Sequence, residues 1–235
     1  MAVNGEPSEP AQAWQPPGSP APAPASPPPN VVRDADPVSA LAYGWKKFAA
    51  SFVAFIVIVL VPVVVNAVIL VVGTVSVPGV GWFAASLALA TLVSHVAYIG
   101  IYNAALAVTA GEPVSIGKAF SSSRWGEWIV FSLAYGLVLG VGMVFCGIGA
   151  LLVVAFFGLA PFFFLDADKK IAGAFRASWT TTRSHPHLPF ALAVTAVVAY
   201  LGVVFFFVPA VVTYPVALVA AAALYRRATG QPVAQ

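Results

Sequence analysis

The sequence predicts an all-α membrane protein: about six transmembrane helices forming three hairpins, each preceded by a cytoplasmic interfacial amphipathic helix. Three observations lead there. Of 235 residues, 60% are hydrophobic and only 8% charged, whereas a soluble domain carries about 25% charged residues. The apolar residues come in runs close to the roughly 20 residues that cross a bilayer at 1.5 Å of rise each. Threaded as six crossings, these runs leave all 11 Lys and Arg, and all eight acids, in segments on one side. Cytoplasmic loops retain Lys and Arg, so that side reads as the cytoplasm. Both termini then lie inside, and the chain belongs in the plasma (inner) membrane.

Residues 1–35 are rich in Pro, Ala and Ser, including Pro27-Pro28-Pro29. They have too little apolar surface to offset the cost of ordering, so they read as a disordered cytoplasmic tail. They also lack the apolar centre of a cleavable signal peptide, which leaves the first membrane helix as an uncleaved anchor. A solvated spacer is the simpler role for this tail, and docking of a protein partner through its prolines is the alternative. The membrane domain covers residues 36–227, and residues 228–235 form a short C-terminal tail.

The entry helix starts at Asp36-Pro37, an N-cap followed by proline at the first helical position. Val38, Leu41, Trp45, Phe48 and Phe52 share one face, with Ser39, Lys46 and Lys47 opposite. The first apolar run is Phe48 to Val72, containing Pro62 and Asn66, and Gly73 to Gly81 is an uncharged turn. The second run is Trp82 to Ala110. The third, Trp128 to Phe145, is joined by the turn Cys146 to Gly149 to the fourth, Ala150 to Leu165. The fifth is Leu188 to Phe207, and the sixth, Val208 to Tyr225, is closed by Arg226-Arg227. Only Val208-Pro209-Ala210 divides the last two.

The entry device recurs. Glu112-Pro113-Val114-Ser115 repeats Pro-Val-Ser after an acid, and Asp168 leads into Ala174-Phe175 as Asp36 leads into Ala42-Tyr43. In the third copy Ile171, Ala174, Phe175, Ser178 and Trp179 make the apolar face. The repeated unit reads as an acid cap, a short amphipathic helix and a membrane hairpin.

Several of these pieces carry a resemblance: Ala42-Tyr43-Gly44-Trp45-Lys46-Lys47-Phe48, Ala110-Gly111-Glu112-Pro113, Ala119-Phe120, Pro161 with Asp166, Ala174-Phe175-Arg176-Ala177-Ser178-Trp179, and Pro215 with Ala223-Leu224-Tyr225-Arg226. Across about residues 36 to 227 the chain resembles the membrane-domain family associated with some bacterial glycerophosphoryl diester phosphodiesterases, and its sister families of uncharacterised multi-pass proteins. The resemblance implies a helical membrane module. The catalytic barrel that sometimes accompanies that module is absent here, so the resemblance implies no phosphodiesterase activity.

Catalytic motifs are missing. There is no Gly-rich loop ending in Lys-Ser/Thr, no Gly-x-Ser-x-Gly elbow and no His-Glu-x-x-His. No cofactor is expected. The single cysteine, Cys146, excludes an internal disulfide. The net charge of +3 reflects few cations flanking apolar runs, which favours anionic lipid over nucleic acid. Asp166 with Asp168 are the nearest approach to paired carboxylates, and helix capping explains them more simply than a metal ion does. His185-Pro186-His187 lacks a third ligand.

The second run is the most polar inside. His95, Tyr98, Tyr102 and Asn103 fall at i, i+3, i+7 and i+8, one stripe expected to face the bundle interior, with Asn66 opposite. Interhelical hydrogen bonding is the simpler reading of the stripe, and a substrate or proton path is the sharper one. Gly136-x-x-x-Gly140, with Gly142, predicts close backbone approach. Ser121-Ser122-Ser123-Arg124 and Thr180-Thr181-Thr182-Arg183 offer hydroxyls and guanidinium to lipid phosphate. Lys46, Lys47, Lys118, Lys169, Lys170 and Arg176 complete the headgroup candidates.

The sequence therefore predicts a non-enzymatic membrane-organising or partner-scaffolding module that engages anionic lipid headgroups. The alternative is a small transporter or permease subunit with its polar site around His95. A tightly packed interior would favour the first, and a cavity at His95 the second.

Overall fold

Asp36 starts the first helix. Its backbone is extended, and its carboxylate accepts hydrogen bonds from the amides of Ser39 (2.8 Å) and Val38 (3.4 Å). The Ser39 amide contributes most to holding this carboxyl below the usual carboxylate range. The computed structural model describes residues 36–75, 80–144, 147–204 and 210–235, and the regular elements among them are helices. Four stretches are long and apolar enough to cross a membrane: Phe52–Gly73, Gly81–Ala110, Trp125–Val144 and Ile148–Leu165. A fifth arises if the bent pair Ile171–Ser184 and Leu188–Gly202 is taken as one span. This is the helix content of a membrane protein.

Helix α1 (Pro37–Ala50) buries Ala40, Tyr43, Gly44 and Phe48, spaced i, i+3, i+4 and i+8. That face packs on α10 (Ala210–Ala228). Gly44 permits the approach: a Cβ there would collide with the Val216 carbonyl oxygen and stand 3.2 Å from the Ala220 nitrogen. The predicted apolar face is thereby divided. Phe48 is buried, but Val38, Trp45 and Phe52 point outward at 71%, 57% and 48% exposure. Helix α1 therefore has two apolar faces, one against protein and one against its surroundings.

Ser51 ends α1, and α2 (Phe52–Val75) runs on from it, packed along α3 (Val80–Ala110). The first apolar run is thus cut earlier than its composition suggests. Pro62 sits inside α2. After a single helical turn, α4 (Ile116–Ala119), helix α5 (Trp125–Val144) packs against α6 (Ile148–Phe157). Their close approach uses Gly142, where a Cβ would lie 2.6 Å from the Ala150 nitrogen. Gly140, half of the predicted GxxxG pair, has open space, and Gly136 faces the His95 ring. Of the three predicted glycines, Gly142 makes the contact, because it lies next to the turn at Gly147.

The fourth run is not one unbroken helix. It divides at Gly158-Leu159 into α6 and α7 (Ala160–Leu165), with Pro161 in the first turn of α7. Proline has no N–H to donate to the preceding turn. At this break the Phe156 carbonyl accepts from the hydroxyls of Ser178 (2.9 Å) and Thr182 (3.0 Å) on α8 (Ile171–Ser184). Helix α8 then meets α9 (Leu188–Val204) at a 114° bend, as an interfacial helix turning into a span would.

The helices close a ring. Neighbours in contact run α3, α5, α6, α9, α10 and back to α3, with α2 outside α3 and α1 outside α10. Helix α10 is the most enclosed: every residue from Pro215 to Tyr225 is buried. The C-terminal segment packs back on the same end. The Ala234 amide donates to the Thr109 carbonyl (3.0 Å), the Tyr43 phenol donates to the Ala234 carbonyl (2.9 Å), and the Lys47 ammonium reaches the Gln235 carbonyl. Burial pushes the Tyr43 phenol up to about 12 and brings the Lys47 ammonium below its ordinary value.

The repeated unit is less regular than its spacing suggests. Asp168 does not cap α8. The N-cap is Lys170, which makes no side-chain capping bond, because Asp168 stands two residues too early to reach the first-turn amides. The second copy yields only the single turn α4, whose N-cap Ser115 also makes no side-chain bond. Predicted features at residues 1–35, the residue Cys146 and the division at Val208-Pro209 lie outside the described residues.

Candidate functional site

A cavity of about 520 Å³ lies inside the helix ring. Every ring helix lines it, together with Pro161 of α7. From α3 come His95, Tyr98 and Tyr102, from α5 Trp128, Ser132 and Tyr135, from α9 Thr195 and Tyr200, and from α10 Tyr214. Five of the seven tyrosines in the chain thus share one space. Among the described residues no Asp, Glu, Lys or Arg lines it.

Its polar atoms are of two kinds. Some are committed to backbone. The Trp128 indole N–H donates to the His95 carbonyl (2.8 Å), Ser132 to Ile129 (3.0 Å) and Thr195 to Leu192 (2.8 Å). The others remain available. Among the described residues no carbonyl or carboxylate accepts from the phenols of Tyr98, Tyr102, Tyr135, Tyr200 or Tyr214, all of which line the cavity. His95 Nδ1 lies 2.7 Å from the Thr91 carbonyl. A carbonyl only accepts, so this nitrogen carries the proton, and in the neutral ring Nε2 is the acceptor. It points toward Gly136 on the cavity wall, 3.8 Å from where a Cβ would stand.

An aromatic floor fixes this geometry. Tyr102 packs edge-on against Trp128 and Phe162, at ring separations of 5.8 and 5.2 Å. Trp128 stacks on Phe131, which stacks on Phe164 at 4.7 Å. Tyr98 and Tyr200 are 39% and 56% exposed, so the cavity meets its surroundings beside them.

The predicted polar stripe therefore separates. His95, Tyr98 and Tyr102 line the cavity. Asn103 lies on another face and donates to the Ala119 carbonyl (2.9 Å), tying α3 to α4. Asn66 turns toward Ser94 instead, donating at 3.1 Å, because α2 packs outside the ring. Tyr135, Tyr200 and Tyr214 were not singled out from the sequence. Each is one tyrosine in an apolar run, and only the ring closure unites them.

The headgroup candidates also separate. Arg124 is engaged: it pairs with Glu127 and Asp168 and lies 4.4 Å above the Phe164 ring. The Glu127 hydrogen bond leads in raising its already high value, followed among the acids by Asp168. Arg183 lies 5.4 Å over Trp179, and Lys118 is 3.8 Å from Glu112. Thr182 is buried and bonded inward to Phe156. Lys46, Lys169, Lys170 and Arg176 are exposed. Asp166 accepts from the Tyr225 phenol (2.8 Å) and the Gln231 amide (2.8 Å), so the two neighbouring aspartates serve different partners. Among the described residues no three His, Cys, Asp or Glu gather as a metal site.

No family model matches this chain, and no curated protein or solved structure matches it.

Proposed function

We propose that this chain is an integral membrane protein that holds, and passes between the bilayer and its own interior, a largely apolar small molecule in the cavity around His95. One observation carries this reading: the ring encloses an uncharged aromatic space of about 520 Å³, within the usual range for small-molecule sites, where a scaffold would have a closed interior. It favours the transporter or permease alternative over the scaffold. The test is the set of small molecules that co-purify with the full chain. Ala199→Trp, which fills the cavity from α9, is expected to remove a species that the native chain retains. Identical profiles would overturn the reading.

A second reading concerns the surface. Lys46, Lys169, Lys170 and Arg176 are exposed cations with no ion pair among the described residues. We propose that they hold the cytoplasmic face against anionic headgroups, each contributing about 1 kcal/mol near the surface. Six crossings as three hairpins, with both termini cytoplasmic in the plasma membrane, remain our threading, supported by the distribution of Lys and Arg. The motif resemblance to the phosphodiesterase-associated membrane module supports a helical membrane module and assigns it no activity. In a Cys146→Ser background, Gly81→Cys should react with an impermeant thiol reagent on intact cells, and Ser184→Cys should not. The opposite pattern would invert the orientation.

A further inference from the structure

The chemistry of the cavity narrows what it holds, and this step rests on the cavity reading above. The wall offers an excess of donors over fixed acceptors. Five phenols carry five O–H groups, and among the described residues no backbone carbonyl or carboxylate accepts from them. The one nitrogen acceptor is His95 Nε2, since Nδ1 is committed to Thr91. The seryl, threonyl and indole donors are already spent on backbone carbonyls. Each phenol that opens on this space can donate one hydrogen bond, so a molecule that fills it gains by bringing acceptor oxygens.

Charge excludes a competing class. Aromatic boxes also bind quaternary ammonium ions through their ring faces. In hydrocarbon, however, a cation needs a counter-charge, and no carboxylate among the described residues lines this cavity. The occupant is therefore neutral. The partly exposed rings of the wall are those of Tyr98, Tyr102, Tyr135, Tyr200 and Tyr214, backed by the buried Trp128 and Phe131. A planar ring can lie against these phenol rings in the offset-stacked or T-shaped arrangements that aromatic pairs prefer, which a branched ester cannot.

We infer that the cavity takes a neutral, lipid-soluble quinone-type molecule, its ring among the wall tyrosines and its carbonyl oxygens accepting from the phenols of Tyr102, Tyr135 and Tyr214. The reduced form, a quinol, has hydroxyls to donate, and His95 Nε2 is the acceptor placed for one of them. No electron transfer is required of this chain; the proposal concerns binding alone.

The experiment uses the full chain in nanodiscs of phosphatidylcholine. Thermal unfolding is followed while adding a short-chain alkyl benzoquinone, its quinol, an alkane of the same chain length, or an alkyl trimethylammonium salt. The benzoquinone should raise the unfolding temperature saturably, and the alkane and the ammonium salt should not. Tyr102→Phe with Tyr214→Phe should weaken the benzoquinone about tenfold, and His95→Phe should weaken the quinol more than the benzoquinone. A benzoquinone that behaves like the alkane, or an equal effect of each variant on both forms, would overturn the assignment. The two readings fail differently. If Ala199→Trp strips a co-purifying species but the benzoquinone does not bind, the cavity stands and the quinone class falls. If Ala199→Trp changes neither, both fall. Should the paired tyrosine variant not fold, Tyr135→Phe alone carries the same test.

Discussion

Helices α2 and α10 are both apolar, yet they serve opposite purposes. Helix α2 is a run of valine, isoleucine and leucine, and only 17% of its best membrane-spanning window is buried inside the protein. Val61, Val64, Val68 and Val72 all lie more than half exposed. Helix α10 has a gentler composition, with Ala220, Ala221, Ala222 and Ala223 in succession, and is enclosed from Pro215 to Tyr225. In water the greasier helix would be the buried one. In a bilayer lipid is as apolar as leucine, so hydrophobicity gives helices no reason to associate, and close packing of small residues does. Strong hydropathy therefore marks contact with lipid here, and small side chains mark the protein interior.

The difference is tested most severely where α1 meets α10. Gly44→Leu places four carbons against the Val216 carbonyl and the Ala220 nitrogen. Overpacking of this kind costs about 3 kcal/mol, so the variant should unfold at clearly lower temperature in detergent or lose its yield. Gly140→Leu, which meets open space, should be nearly silent. A smaller contrast uses the two helices themselves. Ala222→Leu, at a fully buried position of α10, should cost about 1–3 kcal/mol. Val64→Leu, exposed on α2, should stay within about 0.5 kcal/mol. Equal effects would show that α2 is also a packed interface, covered by a second chain.

Much of this was legible in the sequence, and the failures share a cause. The apolar runs, the cap at Asp36 and the helix over Ile171–Ser184 follow from local signals: run length, spacing and capping chemistry. So does the placement of His95, Tyr98 and Tyr102 on one face. What local signals do not carry is which face meets which neighbour. The stripe Val38, Trp45, Phe52 is a good apolar face, but α10 takes the face with Gly44, because small residues permit contact that bulky ones prevent. Asn66 and Asn103 look like members of the His95 site until α2 is found outside the ring and α4 beside α3. Tyr135, Tyr200 and Tyr214 come from three helices, and no spacing rule links them. Arg124 reads as a free cation by position; its pairing with Asp168 spans the turn between α7 and α8, which no periodicity reports.

That ion pair gives a further, smaller test. Arg124 joins the start of α5 to the α7–α8 connection, and its guanidinium lies over the Phe164 ring. Glu127 and Asp168 are mostly exposed, at 57% and 83%, so solvent screens them. Pairs with such exposed acids contribute about 0–1 kcal/mol, and a cation over a ring about 0.5–1 kcal/mol even when exposed, with the Arg124 side chain here 22% exposed. Arg124→Ala should therefore cost about 1 kcal/mol, and Asp168→Asn less. The Asp168 effect should fade in high salt, while the loss of the ring contact should persist. A cost of several kcal/mol for Arg124→Ala would mean that this end of the bundle, not the α10 interior, anchors the fold.

The mildest effect is expected at Asp36, which orients α1 for its contact with α10. Its carboxylate accepts from the Ser39 and Val38 amides, and its folded value lies below the ordinary 3.8. A depressed acid stabilises its helix at any pH above the unfolded value. That contribution is present through neutral pH and is lost as pH falls through the still lower folded value. Amide exchange at Val38 and Ser39, corrected for its intrinsic pH dependence, should show protection that is constant above about pH 5 and declines below the ordinary carboxylate range. Asp36→Ala should remove that step and leave the Gly44 contact intact. Helix α8 is the internal control, since its N-cap Lys170 offers no carboxylate and its first turn should show no such step. If α8 frays with acid as α1 does, the loss belongs to the whole charged end of the bundle and not to a single capping aspartate.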